Sequence, residues 1–371
     1  MRFIDLQTQS KRIEPALLAR FQALLDHGTY IMGPEIDELE KVLADFCGVS
    51  HAITVSSGTD ALLIALMALG VKAGDEVITT PFSFFATAEV ILLLGAIPVF
   101  VDIRPDTYNL DPALLEAAIT PKTRAIMPVS LYGQCADLEA INAIAARYKL
   151  PVIEDAAQSF GATAHERFSC ALSTIGCTSF FPSKPLGCFG DGGACFTNDA
   201  VLANTMKEIR VHGQSQRYYH TVLGINGRMD SIQAGILLEK MKIFPEEIVL
   251  RQAVAARYAE HLPDFIKPPV VPAHYQSVFG QYTIEVENRA QVQAALSEQG
   301  IPTAVHYPLG LHQQPVIAAT YTQPLSFPVA ERAARRVLSL PMHPYLVEAD
   351  QIKICQALAE SREAVIYTHQ K

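Results

Sequence analysis

Between residues 52 and 154, short apolar runs alternate with segments of helical period, and that alternation restricts the fold more than any other feature of the chain. The spacing predicts strands over Ala52–Val55, Glu76–Thr80, Pro98–Val101, Ala125–Val129 and Val152–Glu154. Between them it predicts helices over Ala61–Leu69, Ser83–Leu94, Pro112–Ile119 and Leu138–Tyr148. Short strands that are apolar throughout are buried on both faces, and alternating helices supply the cover. The expected class is α/β, with a mostly parallel central sheet, right-handed crossovers and ligands at the carboxyl ends of the strands. Two further helices, Glu14–His27 and Pro34–Phe46, are split by Gly33-Pro34 and form an N-terminal arm.

After Asp155 the alternation breaks. Strands are expected over Thr178–Phe181 and Ala194–Thr197, then a helix over Ala200–His212 that Gly213 ends. His212–Asp230 reads as a long polar loop, and Ser231–Leu262 as one or two helices with a break near Phe244-Pro245. From about Pro268 the pattern changes. It predicts strands over Val278–Val286 and Thr303–Tyr307, and helices over Ala290–Gln299, Val329–Leu338 and Ala349–Glu363. The chain of 371 residues is long enough for two domains. We expect a large α/β domain over residues 1–262, including the arm and linking helices, and a small α+β domain over 263–371.

Half of the residues are apolar and 18% are charged, as in a globular protein. The net charge of -9 argues against nucleic acid as a partner. Seven cysteines without a CxxC pair or a nearby His at ligand spacing read as reduced thiols, with no structural metal. The N-terminal MRFIDLQTQSKRIEP lacks the apolar core of a signal peptide. The most apolar run, Val90–Val101, is too short to span a bilayer and contains Gly95 and Pro98. The expectation is a cytoplasmic protein with no membrane partner.

Four stretches carry the chemistry. Lys184 lies in Thr178–Thr197, between SFFPS and PLGCFGDGG, where few carboxylates are near. Desolvation there lowers a lysine pKa and makes its amine nucleophilic toward an aldehyde; a lysine that snorkels out along apolar surface fits the same segment. SSGTDAL puts Gly58 and Thr59 at a helix N-terminus, which suits a phosphate and equally an ordinary cap. VIEDAAQSFGA puts Asp155 directly after a buried strand, where a protonated pyridine nitrogen would be a fitting partner. Asp155 could instead cap a following helix, with Gln158 at capping-box spacing. PFSFFATAEV offers Phe82, Phe84 and Phe85, of which at most one stacks on a flat ring and the others are core. Taken together, phosphate turn, aromatic, post-strand aspartate and lysine follow the chain order of a type I pyridoxal-phosphate enzyme.

Six stretches then identify a relationship. SSGTDAL, PFSFFATAEVILLLGAIPVFVDI, PVSLYGQCADLEAI, VIEDAAQSFGA, SFFPSKPLGCFGDGGA and GINGRMDSIQAGIL resemble the DegT/StrS family of sugar aminotransferases, over nearly the whole chain. The resemblance implies an aspartate aminotransferase-like type I fold and pyridoxal 5'-phosphate as cofactor. It implies that Lys184 carries the cofactor as a Schiff base and shuttles the proton. Asp155 would pair the pyridine nitrogen, Gln158 would sit against the ring near its hydroxyl, and Phe84 would stack. Gly58, Thr59 and Ser179 would contact the phosphate. Asn226 would reach the phosphate of the neighbouring subunit, which makes the active unit a homodimer with shared sites.

TSFFPSKPLGCFGDGGA and HGQSQRYYH…GINGRMD further resemble enzymes that aminate C3 of a UDP-linked 2-acetamido-3-keto uronic acid, with L-glutamate as donor, for cell-surface polysaccharide such as the lipopolysaccharide O-antigen. Arg228 would then meet the uronate carboxylate; an inter-subunit salt bridge is its alternative. Arg217, Tyr218, His220, His306 and Tyr307 are further candidates for sugar or diphosphate. Between Gly161 and Ser169 the chain reads ATAHERF, where relatives carry a Lys- or Gly-containing run, and this segment is expected to border the substrate. Rival readings are a dTDP-3-keto or dTDP-4-keto sugar aminotransferase, a same-fold dehydratase with His in place of the lysine, and a non-catalytic regulator.

Overall fold

A computed structural model describes residues 1–362. Glu363, the last residue of the expected final helix, and the remainder of the 263–371 segment through Lys371 lie outside the described residues.

The central sheet is built from β1 (His51–Val55), β2 (Glu76–Thr79), β3 (Ile97–Phe100), β4 (Thr123–Met127), β5 (Ile153–Asp155), β6 (Ile175–Ser179) and β7 (Gly193–Thr197). Hydrogen bonding orders them β3-β2-β4 and β5-β6-β7-β1. Parallel bridges from Ile126 to Val152 and from Val129 to Asp155 join the two groups into one sheet. Only β7 runs against the others. The carboxyl ends of β1, β2, β5 and β6 therefore share one edge, and the residues just beyond them meet there.

Helices cover both faces, as continuously apolar strands require. On one face lie α2 (Pro34–Cys47), α5 (Leu138–Tyr148) and α7 (Ser231–Met241), whose Ile36, Leu39, Ile141 and Leu237 enter one buried cluster. On the other lie α3 (Gly58–Ala68), α4 (Ala86–Leu93) and α6 (Ala200–Ile209), through Ile64, Val90 and Met206. Each such fully buried aliphatic side chain contributes ~1.5–3 kcal/mol. The arm helix α1 (Leu6–His27) starts earlier than expected, because Asp5 accepts from Thr8 N–H at 3.1 Å and caps it. Among the described residues no helix is long and apolar enough to cross a membrane.

In the C-terminal third, α8 (Phe244–His261), α9 (Arg289–Glu298) and α11 (Glu348–Glu360) pack on the antiparallel pair Tyr282–Glu285 and Val337–Leu340. Here several expectations need correction. The helix expected over Val329–Leu338 is α10 (Pro328–Arg336), and Val337 already turns extended to pair with Glu285. Val-Leu-Ser-Leu suits either state, and the partner strand decides. Thr303–Tyr307 is not a strand; only Ala304 bridges, to Ser339. Ser339 pairs with Thr283 on its other side, so this bridge sits on the free edge of that pair. Pro112–Ile119 shortens to the single turn Pro112–Leu115 followed by a 3-10 turn. The expected polar loop after residue 212 contains a small hairpin, Gln214–Gln216 with Tyr219–His220.

Candidate active site

The phosphate end begins where β1 runs into α3. Ser57 caps the helix, its hydroxyl accepting from Asp60 N–H at 3.0 Å. The Gly58 and Thr59 amides find no partner among the described residues, so two donors and the helix dipole face outward. A Cβ on Gly58 would stand 2.6 Å from Ser179 Cβ, so the helix start and the end of β6 form one concave wall. The Ser179 hydroxyl accepts from Phe181 N–H at 3.3 Å and keeps its own proton to donate. Two free amides and a hydroxyl on a wall with no room for a side chain fit a phosphate.

Asp155 ends β5 on the same edge and is 4% exposed. No helix follows it. The capping alternative gives way to a turn in which Asp155 Oδ1 accepts from Ala157 N–H at 3.2 Å. Its Oδ2 accepts from the Thr87 hydroxyl at 2.8 Å. Burial pushes the Asp155 carboxyl above its usual range, and the Thr87 bond, the Ala157 amide and the Lys184 charge oppose that. Lys184 follows β6 in the loop before β7, with its amide donating to Phe181 C=O at 2.9 Å. Burial pushes its amine below the ordinary lysine value, against the pull of Asp155. Lys184 and Asp155 thus sense each other's charge without forming a direct ion pair. A buried carboxyl group, a nearby amine of lowered proton affinity and the phosphate wall suit the pyridine nitrogen, aldehyde and phosphate of pyridoxal 5'-phosphate in turn.

Gln158 does not reach back to Asp155. Its Oε1 accepts from Tyr132 N–H at 2.8 Å, and its Nε2 donates to the Tyr307 hydroxyl at 2.9 Å. Of the three candidate aromatics, Phe82 is core against Ile103 and Val129, and Phe85 packs beside Phe100. Phe84 is 56% exposed, with its ring centroid 6.2 Å from that of Tyr307. His306 and Tyr307 reach the same edge from the C-terminal third. The Tyr132 hydroxyl donates to His306 C=O, and His306 Nδ1 lies 2.9 Å from Ser339 Oγ. Burial first, and the Lys184 charge second, hold the His306 imidazole down to about 4. Burial and then the Asp155 charge push the Tyr307 hydroxyl well above its usual value.

The remaining candidates stand apart within the chain. Asn226 is exposed, although its neighbour Gly227 accepts from Ser56 N–H at 2.9 Å and so fastens this loop beside the phosphate turn. Arg228 is half-buried, and its Nε has no hydrogen-bond partner among the described residues. Arg217 sits at the exposed hairpin tip with its guanidinium 5.2 Å from the Tyr218 ring centroid. No hydrogen bond or ion pair among the described residues ties it to Lys184. Within this chain the 161–169 segment has partners of its own. Thr163–Ala164 and Arg167–Phe168 form a ribbon with Tyr275–Gln276, and Phe168 packs on Phe46 with centroids 4.7 Å apart. His165 lines a separate cleft of about 600 Å³ with Arg104, Asp137 and Tyr275.

Two contributors escaped the sequence reading. Thr87 is recognisable in retrospect as a second hydroxyl four residues beyond Ser83, after a strand end. Tyr132, which gives Gln158 its backbone donor, carries no sequence signal beyond its position after β4.

A sequence profile of the DegT/DnrJ/EryC1/StrS aminotransferase family matches residues 11–359. The UDP-2-acetamido-2-deoxy-3-oxo-D-glucuronate aminotransferase of Pseudomonas aeruginosa is 57% identical, over 96% of this chain and 99% of its own. A crystal structure of a DegT DnrJ EryC1 StrS aminotransferase from Brucella abortus superposes with a TM-score of 0.95 at 45% identity, covering 98% of this chain and all of that one. The NtdA structure from Bacillus subtilis, with bound cofactor PMP, gives 0.87 at 34% identity, over 96% of this chain and 82% of that one. A match of this extent settles the family: the chain belongs to the DegT/DnrJ/EryC1/StrS aminotransferases and is a pyridoxal 5'-phosphate-dependent enzyme.

Proposed function

We propose that this enzyme transfers the amino group of L-glutamate to C3 of UDP-2-acetamido-2-deoxy-3-oxo-glucuronate, releasing 2-oxoglutarate and a 3-amino sugar. The observation that carries the reading is the 57% identity, end to end, with the Pseudomonas aeruginosa enzyme of that substrate. The reaction would serve cell-surface polysaccharide such as the lipopolysaccharide O-antigen, and would run in the cytoplasm.

In this reading Gly58, Thr59 and Ser179 hold the cofactor phosphate, Asp155 the pyridine nitrogen and Gln158 the ring hydroxyl side, while Phe84 covers a ring face. When bound, the cofactor supplies the electron sink for a carbanion at the amino-bearing carbon. Lys184 Nζ takes the proton from the glutamate α-carbon and later delivers a proton to C3 of the sugar. Its burial supports this role, because a general base needs its amine neutral near working pH. Arg228 faces the sugar carboxylate, and His306, Tyr307 and Arg217 hold the sugar and diphosphate. Residues 1–262 act as the cofactor-binding domain and 263–371 as the smaller one.

The active unit is a homodimer with shared sites. Exposed apolar side chains support this: Phe181 and Phe189 flank the Lys184 loop, Tyr218 sits at the hairpin turn and Leu223 in the loop after it, at 78% and 89% exposure. The partner subunit's Asn226 completes the phosphate site.

The test is turnover of a panel of UDP- and dTDP-linked 3-keto and 4-keto sugars with glutamate, followed by 2-oxoglutarate release. We expect turnover with the UDP-3-keto uronic acid, and none from Lys184→Ala. Preferred turnover of a dTDP-4-keto sugar would overturn the assignment.

A further inference from the structure

We infer that Thr87, backed by Ser83, is a positioning residue that holds Asp155 as a carboxylate for the cofactor's pyridine nitrogen through a one-way chain of hydroxyl hydrogen bonds. The inference rests on the pairing of Asp155 with the pyridine nitrogen.

The geometry fixes the direction of the chain. Thr87 Oγ1 lies 2.8 Å from Asp155 Oδ2, and an ionised carboxylate only accepts. The single hydroxyl proton of Thr87 is therefore spent on Asp155. In its 2.9 Å contact with Ser83 Oγ, Thr87 must then accept, and Ser83 donates. Both hydroxyls are shut away from solvent, as is Asp155. Successive donors in such surroundings polarise one another, and a donor to a charged acceptor is stronger than a neutral one. Thr87 is also the largest of the influences that oppose the upward push of burial on Asp155.

The consequence is chemical. A buried aspartate and a pyridine nitrogen compete for one proton. If the carboxylate becomes the better base, the proton sits on Asp155, the ring nitrogen is neutral and the electron sink weakens. The Ser83–Thr87 chain makes the carboxylate the poorer base and leaves the proton on the ring. No bond is made or broken; the chain only sets where that proton rests. Phe84 lies between the two hydroxyl residues in sequence, so one short segment carries both the proposed stacking ring and the hydroxyl chain.

Thr87→Val keeps the shape and deletes the donor. Two readouts apply: the cofactor dissociation constant, by titrating apoenzyme, and the pH midpoint at which the visible absorbance of lysine-bound cofactor converts. With a neutral ring nitrogen the Schiff-base nitrogen gains basicity, so the midpoint in Thr87→Val moves up, by about one pH unit, and the dissociation constant rises about tenfold. Ser83→Ala moves both the same way by less, and Thr87→Ser restores wild-type values. A merely structural threonine would lower thermal stability and leave the midpoint in place. A Thr87→Val midpoint and dissociation constant equal to wild type, with Asp155→Asn moving both, would overturn the inference alone. If Asp155→Asn moves neither, the pairing of Asp155 with the ring is wrong and the inference falls with it.

Discussion

Gln158 Nε2 donates to the Tyr307 hydroxyl at 2.9 Å, a bond between the turn after β5 and the C-terminal third of the chain. The other end of the same amide accepts from Tyr132 N–H at 2.8 Å. Gln158 is thus a strut between the sheet edge and the segment that brings His306 and Tyr307 over it. Tyr307→Phe removes one end of the strut and leaves a buried amide N–H without its acceptor. A neutral hydrogen bond contributes ~0.5–1.5 kcal/mol. We expect KM for the keto sugar to rise by roughly three- to tenfold, with a smaller change in the rate of the glutamate half-reaction. Steady-state kinetics against separate half-reactions measures the split; equal losses in both halves would assign Tyr307 to the cofactor rather than to the sugar.

Gly58 and Ser179 are pressed together, and this makes a sharp test of the phosphate wall. Gly58→Ala puts a Cβ 2.6 Å from Ser179 Cβ, so either the α3 start or the end of β6 must shift. Overpacking of this kind costs ~1–3 kcal/mol. We expect apoenzyme stability to fall by that amount in denaturant melts, and cofactor affinity to fall as well because both phosphate-facing elements move. Adding Ser179→Gly relieves the clash. The double variant should recover most of the stability but not the affinity, since the Ser179 hydroxyl is gone.

How much of this was legible beforehand depends on the range of the deciding contact. The strands from β1 to β5 follow from local apolar runs, and the edge position of Gly58, Phe84 and Asp155 follows from their places just beyond strand ends. The Val337–Leu340 strand does not, because Val-Leu-Ser-Leu continues a helical pattern until Tyr282–Glu285 pairs with it. Asp155 also suits a cap by its sequence, and only the turn after it removes that option. The Thr87–Asp155 bond crosses 68 residues and the Gln158–Tyr307 bond 149, so nothing local announces either. The pairing of the 161–169 segment with Tyr275–Gln276 is equally long-range, and nothing local announces it.

His306 gives a pH prediction with a definite sign. Burial, with the Lys184 charge second, lowers its imidazole from 6.5 to about 4. Between those values the unfolded chain holds a proton that the folded chain does not, so unfolding free energy rises with pH across the window. The contribution is complete above about pH 6.5 and is lost as pH falls toward 4, at no more than about 1.4 kcal/mol per pH unit. His306→Asn removes it. The wild-type minus variant difference in denaturant melts should shrink from pH 7 to pH 4.5, and buried Asp155 and Glu154, which titrate in both proteins, cancel in that difference. Catalytic profiles from pH 5 to 8 should show no limb from His306, whose ring stays neutral throughout.

The exposed hairpin tests the shared-site dimer. Tyr218 and Leu223 leave large apolar surfaces uncovered within the chain, and a second copy is the cover that the proposal calls for. Replacing both with Ser removes ~25 cal/mol for each Å² of apolar contact. Sedimentation should show dimer association weakened by at least about tenfold, and specific activity should fall on dilution in the variant but not in wild type. Activity that stays independent of concentration in a monomeric variant would exclude a site completed by the partner subunit's Asn226.

Arg228 separates recognition of the sugar from assembly of the dimer. Its Nε is buried without a hydrogen-bond partner among the described residues, an expensive state for a guanidinium unless a planar anion meets it. Arg228→Lys keeps the charge and loses the fork that binds a carboxylate through two parallel bonds. If that anion is the uronate, kcat/KM for the UDP-3-keto uronic acid should fall by about tenfold or more, while the matching keto sugar without a carboxylate changes by less than about threefold. If the anion is instead a carboxylate of the partner subunit, both substrates should suffer equally and the dimer should loosen in sedimentation. The ratio of the two specificity constants therefore reads out the chemical identity of the group that Arg228 awaits.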